Sequence, residues 1–270
     1  MKLSVVIITH NEEANMARTL GSVQPLVADG RGEIIVVDSG STDRTVEIAQ
    51  SFGAKVFIEE WKGYAAQKNS AIEKATGEWI LSLDADEEVD EALVEEISRL
   101  LRERGMEIGL DEDGLNGFLI PRKNYFLGRR IRHGGFWPDS KLRFFRRGTG
   151  KVQDQIVHET LTVSGVTSAV QRGSLIHHSY PTLADYIEHM NRYSSLGAEM
   201  VADKGRTGFS GFNIVYRPLA TFVYNYFLRL GFLDGREGLL LHGYHAVYVS
   251  WKYAKAWELG RRKASSLRSE

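Results

Sequence analysis

Three short apolar runs constrain this chain most, because each ends in a polar cluster that carries a carboxylate. Leu3–Thr9 runs into Thr9-His10-Asn11-Glu12. Residues 33–38 run into Asp38-Ser39-Gly40-Ser41-Thr42-Asp43, and 79–83 into Asp84-Ala85-Asp86-Glu87. Short, continuously apolar runs are the pattern of strands buried on both faces. Helical periods lie between them. Met16, Leu20 and Val23 share one face. Val46, Ala49 and Phe52 share another, behind Asp43 as an N-cap and ahead of Gly53 as a stop. Lys55–Ile58 reads as a third strand, which makes 79–83 the fourth. Residues 64–75 read as a helix closed by Gly77, and 88–104 as a helix with Leu93, Ile97 and Leu101 at i, i+4 and i+8. Such alternation predicts right-handed crossovers and a mostly parallel sheet. Ligands of an open α/β sheet bind outside the carboxyl ends of its strands, where all three clusters fall.

The pattern changes after a Gly- and acid-rich stretch at 105–116, read as a loop. Strands are expected at 117–122 and 142–146, around a basic, aromatic loop, and another at 168–178. Residues 182–204 read as a helix. Between 209 and 257 lie 13 of the chain's 28 aromatic residues. No internal repeat or low-complexity tract is found.

Composition excludes several classes. With 43% hydrophobic and 26% charged residues among 270, the chain is not a disordered one. A formal net charge of −1 argues against a dedicated duplex nucleic-acid binder, so no nucleic acid is expected as partner. The absence of cysteine rules out disulfides, thiolate nucleophiles and thiolate metal sites. The first residues do not read as a signal peptide, since residues 3–8 pass straight into polar residues without a small-residue cleavage site. No stretch reads as a membrane span, because a bilayer helix needs roughly 20 apolar residues. The expectation is a soluble or membrane-surface protein.

The first turn lacks a G-x-G-x-x-G sequence, and no Walker A sequence is present, so a glycine-rich phosphate cradle is not expected. Asp84-x-Asp86 offers another way to hold phosphate. Two carboxylates just past a strand can share Mg²⁺ or Mn²⁺, which bridges a diphosphate and offsets its charge as it leaves. The competing reading is two solvated aspartates ahead of the helix at 88. Asp38 suits a nucleotide base, since a carboxylate accepts the N3–H of uracil, with Thr9 and Glu12 beside base and ribose. The competing reading there is a turn and a helix cap. Asn11 and Ser41, in the same two clusters, are counted with the nucleotide-binding candidates.

Longer stretches resemble glycosyltransferase family 2. They are Ser4-Val-Val-Ile-Ile-Thr-His-Asn-Glu12, Val36-Val-Asp-Ser-Gly-Ser-Thr-Asp43, Gln67-Lys-Asn69 and Trp79-Ile-Leu-Ser-Leu-Asp-Ala-Asp-Glu87. Pro121-Arg-Lys-Asn-Tyr-Phe-Leu-Gly128, Trp137-Pro-Asp139, Leu142-Arg-Phe-Phe-Arg-Arg147 and Val157-His-Glu159 resemble the branch with the lipopolysaccharide core glucosyltransferases that act on heptose. The likeness covers about residues 1–205 well and the rest loosely. It implies a glycosyltransferase-A fold: α/β, Rossmann-like, a mostly parallel central sheet with flanking helices. Residues 1–205 would then be the catalytic domain, its nucleotide-sugar half about 1–104 and its acceptor half about 117–205. Residues 206–270 would be an aromatic-rich helical extension.

The resemblance also implies a nucleotide-sugar donor, commonly UDP-linked, and inversion at the anomeric carbon. By position, Thr9, Glu12 and Asp38 would hold the nucleoside, Lys68 would lie near base or diphosphate, Asp84 by ribose and metal, and Asp86 on the metal. Inversion in one displacement needs a base for the acceptor hydroxyl. The matching place holds His158-Glu159 where the family often has Glu-Asp. Glu159 is the expected base, with Asp139 in reserve; the alternative for Glu159 is a structural ion pair. His177 is either a metal or diphosphate ligand or a strand-ending histidine satisfied by backbone. Arg122, Arg143, His158 and the run Arg129-Arg130-Ile131-Arg132-His133 are candidates for anionic groups on the acceptor.

In the tail, Leu219, Val223, Phe227 and Leu230 recur at helical spacing, as do Leu240, Tyr244, Val247 and Trp251, with Lys252, Lys255 and Arg262 on another part of the second helix. An aromatic face beside a basic stripe suits an anionic membrane surface. A helical hairpin packed on the domain or on a second subunit, as in a homo-oligomer, suits it equally. The functional expectation is an inverting, metal-dependent hexosyltransferase. It would move glucose from UDP-glucose to a sugar hydroxyl of a lipopolysaccharide core or other envelope glycan, in the cytoplasm or at the inner face of its membrane. The rivals are a polyprenyl-phosphate glycosyltransferase and a non-catalytic nucleotide-sugar-binding module.

Overall fold

The structure is a computed structural model and describes residues 2–106, 114–153 and 160–266. The chain divides into two compact units, one of Met1–Lys123 with Asp139–His177 and one of Asn124–Pro138 with His178–Glu270. The strands are β1 (Leu3–Thr9), β2 (Gly32–Asp38), β3 (Lys55–Ile58), β4 (Trp79–Asp84), β5 (Glu87–Val89), β6 (Leu115–Ile120), β7 (Arg122–Phe126), β8 (Arg129–Arg130), β9 (Lys141–Arg146), β10 (Gly150–Gln153), β11 (Thr160–Val163), β12 (Val166–Ala169) and β13 (Leu175–Tyr180). The α-helices are α1 (Glu13–Val27), α2 (Thr45–Ser51), α3 (Tyr64–Glu73), α4 (Glu91–Met106), α5 (Leu183–Asp203), α6 (Arg217–Val223) and α7 (Gly235–Ser266).

The first unit is built on a seven-stranded sheet of order β12-β6-β9-β4-β1-β2-β3. β1 is parallel to both β2 and β4, and β2 to β3; β9 runs antiparallel between β4 and β6. The apolar runs are continuous because both faces are covered. Leu3, Val5 and Ile7 with Ile34, Val36, Leu81 and Leu83 pack under Met16, Leu20 and Val23 of α1 and Leu93 and Ile97 of α4. Val6, Ile35, Val37 and Ile80 face the other way, onto Ala65, Ala71 and Ile72 of α3. The period of two along each strand thus feeds two layers. Burying each such side chain contributes about 1.5–3 kcal/mol. Trp79 stacks on Phe144 at 4.8 Å, and Phe144 on Phe118 at 5.6 Å. Gly77 lets β4 start against β1, since a Cβ there would meet the Ser4 nitrogen at 2.7 Å.

Three expected boundaries move. The helix read from 88 begins at Glu91, and Glu87–Val89 is a strand paired antiparallel with β13. Asp90 sets this start, because its carboxylate accepts the Leu93 and Ser174 N–H groups at 2.9 and 3.1 Å. The strand read over 168–178 is two, β12 and β13, parted at Gly173, whose φ is +79° and where a Cβ would strike the Leu93 backbone. Of the loop read at 105–116, α4 takes the first two residues and β6 the last two, while 107–113 lie outside the described residues.

The second unit is helical around a small core of Phe126, Ile131, Tyr186 and Leu241. Here β7 and β8 form a hairpin, Tyr125 opposite Arg130. The α5 helix starts on a capping box, with Thr182 and Asp185 bonding each other's backbone N–H. Lys255 of α7 reaches back to α5 and donates to Asn191 Oδ1 at 2.6 Å and Ser194 Oγ at 2.7 Å. The tail consists of two helical segments. Residues 212–228 are one helical segment, α6 flanked by π-helical turns, and α7 runs for 32 residues. Among the described residues, no helix is long and apolar enough to cross a membrane. This grouping by contact puts α5 with the tail, a different partition from the compositional one at 205/206.

Candidate functional site

Register brings the three clusters together in the first unit. Thr9 pairs with Asp38 across β1 and β2, and Ile8 with Asp84 across β1 and β4. The polar residues that follow these strands therefore share one sheet edge, at the point where the order reverses around β1.

The loops after β1 and β2 are laced to each other. Asn11, held at φ +53°, donates its N–H to Ser41 Oγ at 2.8 Å and accepts the Thr42 N–H on Oδ1 at 2.8 Å. The Glu12 N–H donates to Thr45 Oγ1. Asp43 bonds the first turns of two helices, accepting the Thr45 N–H at 3.0 Å and the Glu13 N–H at 3.1 Å. The N-cap of α2 is Arg44, so Asp43, expected there, stands one residue earlier and bonds α1 as well as α2. Asp38 is fully buried. Its Oδ1 accepts the Gly40 and Ser41 N–H groups, and its Oδ2 the Ser41 hydroxyl. A carboxylate has about four acceptor positions, and these bonds use three of them. Buried atoms at the ends of β1 and β2 lack partners, Thr9 Oγ1 and Ser39 Oγ, as do both polar atoms of the Gln67 amide on α3. Each such atom costs about 1–3 kcal/mol unless a ligand or water meets it. Burial pushes the Glu12 carboxyl above its usual range against the Asn15 hydrogen bond, and Asp86 adds to the rise.

Beside this lies a chain of alternating charges. Asp84 takes the Lys68 ammonium at 2.8 Å on one oxygen and the Arg143 guanidinium on the other. Burial opposes its charge, yet Arg143 and Lys68 hold its carboxyl well below the usual range. Arg143 also donates to Glu87 Oε1 at 3.0 Å, which accepts Arg122 Nη1 at 3.1 Å. Glu87 Oε2 accepts the Asp84 N–H at 3.0 Å. Arg122 then grips Asp139 Oδ2 through Nε at 3.0 Å and Nη2 at 2.7 Å, and Lys141 takes the other oxygen at 2.9 Å. Against the cost of burial, Arg122 and Lys141 bring Asp139 down to about 2.

Asp86 stands apart from this chain. Its Oδ2 lies 3.1 Å from His177 Nε2, and His177 is there because β13 sets it opposite Glu87. Burial again raises the carboxyl, but His177 outweighs it and the net shift is downward.

Arg122 and Arg143, assigned to acceptor anions, have their guanidinium groups committed to Glu87, Asp84 and Asp139, because both are largely buried and a buried cation needs a partner. Asp84, expected to share a metal, has one oxygen on Lys68 and the other on Arg143. Glu87 is the residue that sequence reasoning missed. It follows Asp84-x-Asp86 directly and is fully buried, and the surplus of arginines downstream was its only sequence signal. His158 and Glu159 lie outside the described residues. Among the described residues, no group of three or more His, Asp or Glu side chains is placed to hold an ion. Asp86 with His177 supplies one oxygen and one nitrogen donor, which fits an ion completed by a ligand's phosphate oxygens and water.

Comparison with known proteins shows the family. Residues 4–175 match the family model for glycosyl transferase family 2. The chain is 32% identical to LpsC, a lipopolysaccharide core biosynthesis glycosyltransferase of Rhizobium meliloti, over 98% of this chain and 95% of that one. It is 28% identical to an uncharacterized glycosyltransferase of Rickettsia typhi over 100% and 91%. Among solved structures, the mannosyltransferase PcManGT of Pyrobaculum calidifontis, in complex with GDP-Man and Mn²⁺, is similar at TM-score 0.51 and 15% identity, covering 94% of this chain and 86% of that one. The fold is the expected glycosyltransferase-A fold, and the chain belongs to glycosyltransferase family 2 as a glycosyltransferase.

Proposed function

We propose that the protein transfers a hexose, glucose from UDP-glucose, with inversion, to a sugar hydroxyl of a lipopolysaccharide core or similar envelope glycan. The observation that carries this is the shared edge at which Thr9, Asp38 and Asp84 meet, with Asp86 and His177 beside them. The role of the rhizobial relative in lipopolysaccharide core biosynthesis supports the acceptor class. The site of action would be the cytoplasm, at the inner face of the membrane where such acceptors are built.

The remaining acceptor position on Asp38 Oδ2 suits the uracil N3–H, and the unpartnered Thr9 hydroxyl suits base or ribose. Asp86 and His177 would hold Mn²⁺ or Mg²⁺. The ion supplies charge that offsets the leaving diphosphate. Lys68 and Arg143 hold Asp84 ionised at the edge, and Glu87 fixes the Asp84 backbone through its N–H. As the bond from the anomeric carbon to the diphosphate breaks, the acceptor oxygen bonds to that carbon from the opposite face. The acceptor's hydroxyl proton passes to a carboxylate. Asp139, held at about 2 by Arg122 and Lys141, has too little proton affinity for this, which favours Glu159.

The test is calorimetric titration with UDP-glucose, UDP-galactose, UDP-N-acetylglucosamine and GDP-mannose, each with and without Mn²⁺. Metal-dependent binding of UDP-glucose is expected. Folded protein that binds none of the four would overturn the donor assignment. The Glu159→Gln variant should keep donor binding and lose on the order of 10²–10⁴-fold in kcat. Wild-type kcat in that variant would remove Glu159 as base and favour an acceptor that is already an oxyanion, such as a polyprenyl phosphate.

A further inference from the structure

The second unit wears its apolar residues on the outside. On the segment 212–228, Phe212, Tyr216, Leu219, Val223, Phe227 and Leu228 recur at helical spacing and are between 41% and 71% exposed. The side turned inward mixes Asn213, Thr221 and Asn225 with Ile214, Phe222 and Tyr226, all half-buried, around the buried Pro218. A helix of a water-facing domain keeps a polar outer face, and this segment does not. Its apolar outer face is held in place, because the segment is fixed to α7, whose Ser250 hydroxyl donates to the Ile214 carbonyl at 2.8 Å. An outward face of this size marks an interaction surface.

Charge says what covers it. The net −1 of the whole chain is the sum of two opposed parts. Met1–Lys123 with Asp139–His177 holds 19 basic and 27 acidic residues, and Asn124–Pro138 with His178–Glu270 holds 15 basic and 8 acidic. Three of those 15 basic residues cluster in one place, where Arg129 also reaches Glu237 at 3.6 Å. A cavity of about 370 Å³ is lined by Arg129, Arg130, Arg132, His133, Leu233 and Asp234. Leu233 is itself one of the exposed apolar residues, so cavity and apolar face are continuous. The cavity wall is tied down by buried Asp234, which accepts the Arg132 and His133 N–H groups at 3.1 and 2.8 Å. Arg130, one of the lining residues, lies over the Trp137 ring at 4.5 Å, and its buried Nε has no hydrogen-bond partner. A second copy of the chain in two-fold contact would bring the same positive face against itself. An anionic lipid surface meets both the apolar side chains and the arginines.

We propose that the face formed by residues 212–228 and the loop at 231–234 docks in the plane of an anionic membrane, with the Arg129–Arg130–Arg132 cavity at its rim taking a lipid phosphate. The attachment is an in-plane one, since the apolar residues form a stripe on one face. It stands on the surface alone and does not depend on the transfer reaction.

The test is flotation of the full chain, without donor or acceptor, with phosphatidylcholine vesicles and with mixed phosphatidylcholine–phosphatidylglycerol vesicles. The protein should float with the mixed vesicles and stay behind with the neutral ones. The double variant Leu219→Glu, Phe227→Glu should lose at least about tenfold in partition. Arg132→Glu, whose backbone bond to Asp234 survives, should lose on the order of tenfold, and added salt should do likewise. Circular dichroism and urea unfolding of the variants check that they fold. No flotation with the mixed vesicles would overturn the proposal, as would equal flotation with neutral ones. So would light scattering that shows a dimer split by Leu219→Glu, Phe227→Glu while vesicle binding persists, because a second copy would then cover the face.

Discussion

The two units use the same helical signature in opposite ways. In the first, Met16, Leu20 and Val23 recur on α1 and all three are buried on the sheet. In the second, Leu219, Val223 and Phe227 recur with the same regularity and all three are exposed. The charges are inverted too. The first unit takes ionisable groups inside and pairs them, Lys68 with Asp84, Arg143 with Glu87 and Arg122 with Asp139. The second keeps an arginine-lined cavity open beside an apolar face. A helical period establishes that a face exists. The neighbours of that face decide whether it is a core or a contact surface.

The comparison can be pressed hardest at the paired charges of the first unit. Asp86→Asn should cost on the order of 10³-fold in kcat, the size of several kcal/mol of lost charge stabilisation, with the stability of the fold little changed. Metal titration of the same variant should show weakened donor binding. Glu87→Ala leaves two buried arginines short of a partner and should destabilise by about 3–5 kcal/mol in urea unfolding, whereas Glu87→Gln, which keeps an acceptor, should recover part of it. Leu20→Ala opens a cavity under the sheet and should cost about 2–5 kcal/mol.

A pH series separates the ion pairs from the core. The folded Asp139 carboxyl is depressed to about 2, so its contribution is fully present above the ordinary aspartate range near 4 and disappears as pH falls through about 2. Stability should fall by about 2 kcal/mol across that window, and Asp139→Asn should remove that part of the slope. The smallest effect is expected at Leu219→Ala, within about 0.5 kcal/mol in the same unfolding measurement, because the side chain is exposed. A cost near that of Leu20→Ala would mean that the outer face of 212–228 is covered in solution.

Much of the first unit was legible in the sequence. A strand buried on both faces leaves a continuous apolar run, so β1, β2 and β4 announced themselves, and the polar residues that ended the runs marked the site edge. β5 was not legible, since Glu87-Glu88-Val89 reads as the start of a helix until β13 pairs with it. Arg122 and Arg143 were read outward because their partners lie 35 and 56 residues away along the chain, beyond any local pattern. Asp86 and His177 were both named from sequence, but only the register of β13 put them 3.1 Å apart.

The sequence by itself therefore determined the alternation of elements, the positions of strand ends and the residue types at the site, because those follow from local hydrophobic period and from motif. The tertiary structure decided which charges neutralise each other, and which way the helical stripe of 212–228 faces. Both depend on long-range packing, in which a buried charge must find a partner wherever the fold supplies one, and a helix turns toward solvent whichever face the remaining core leaves uncovered.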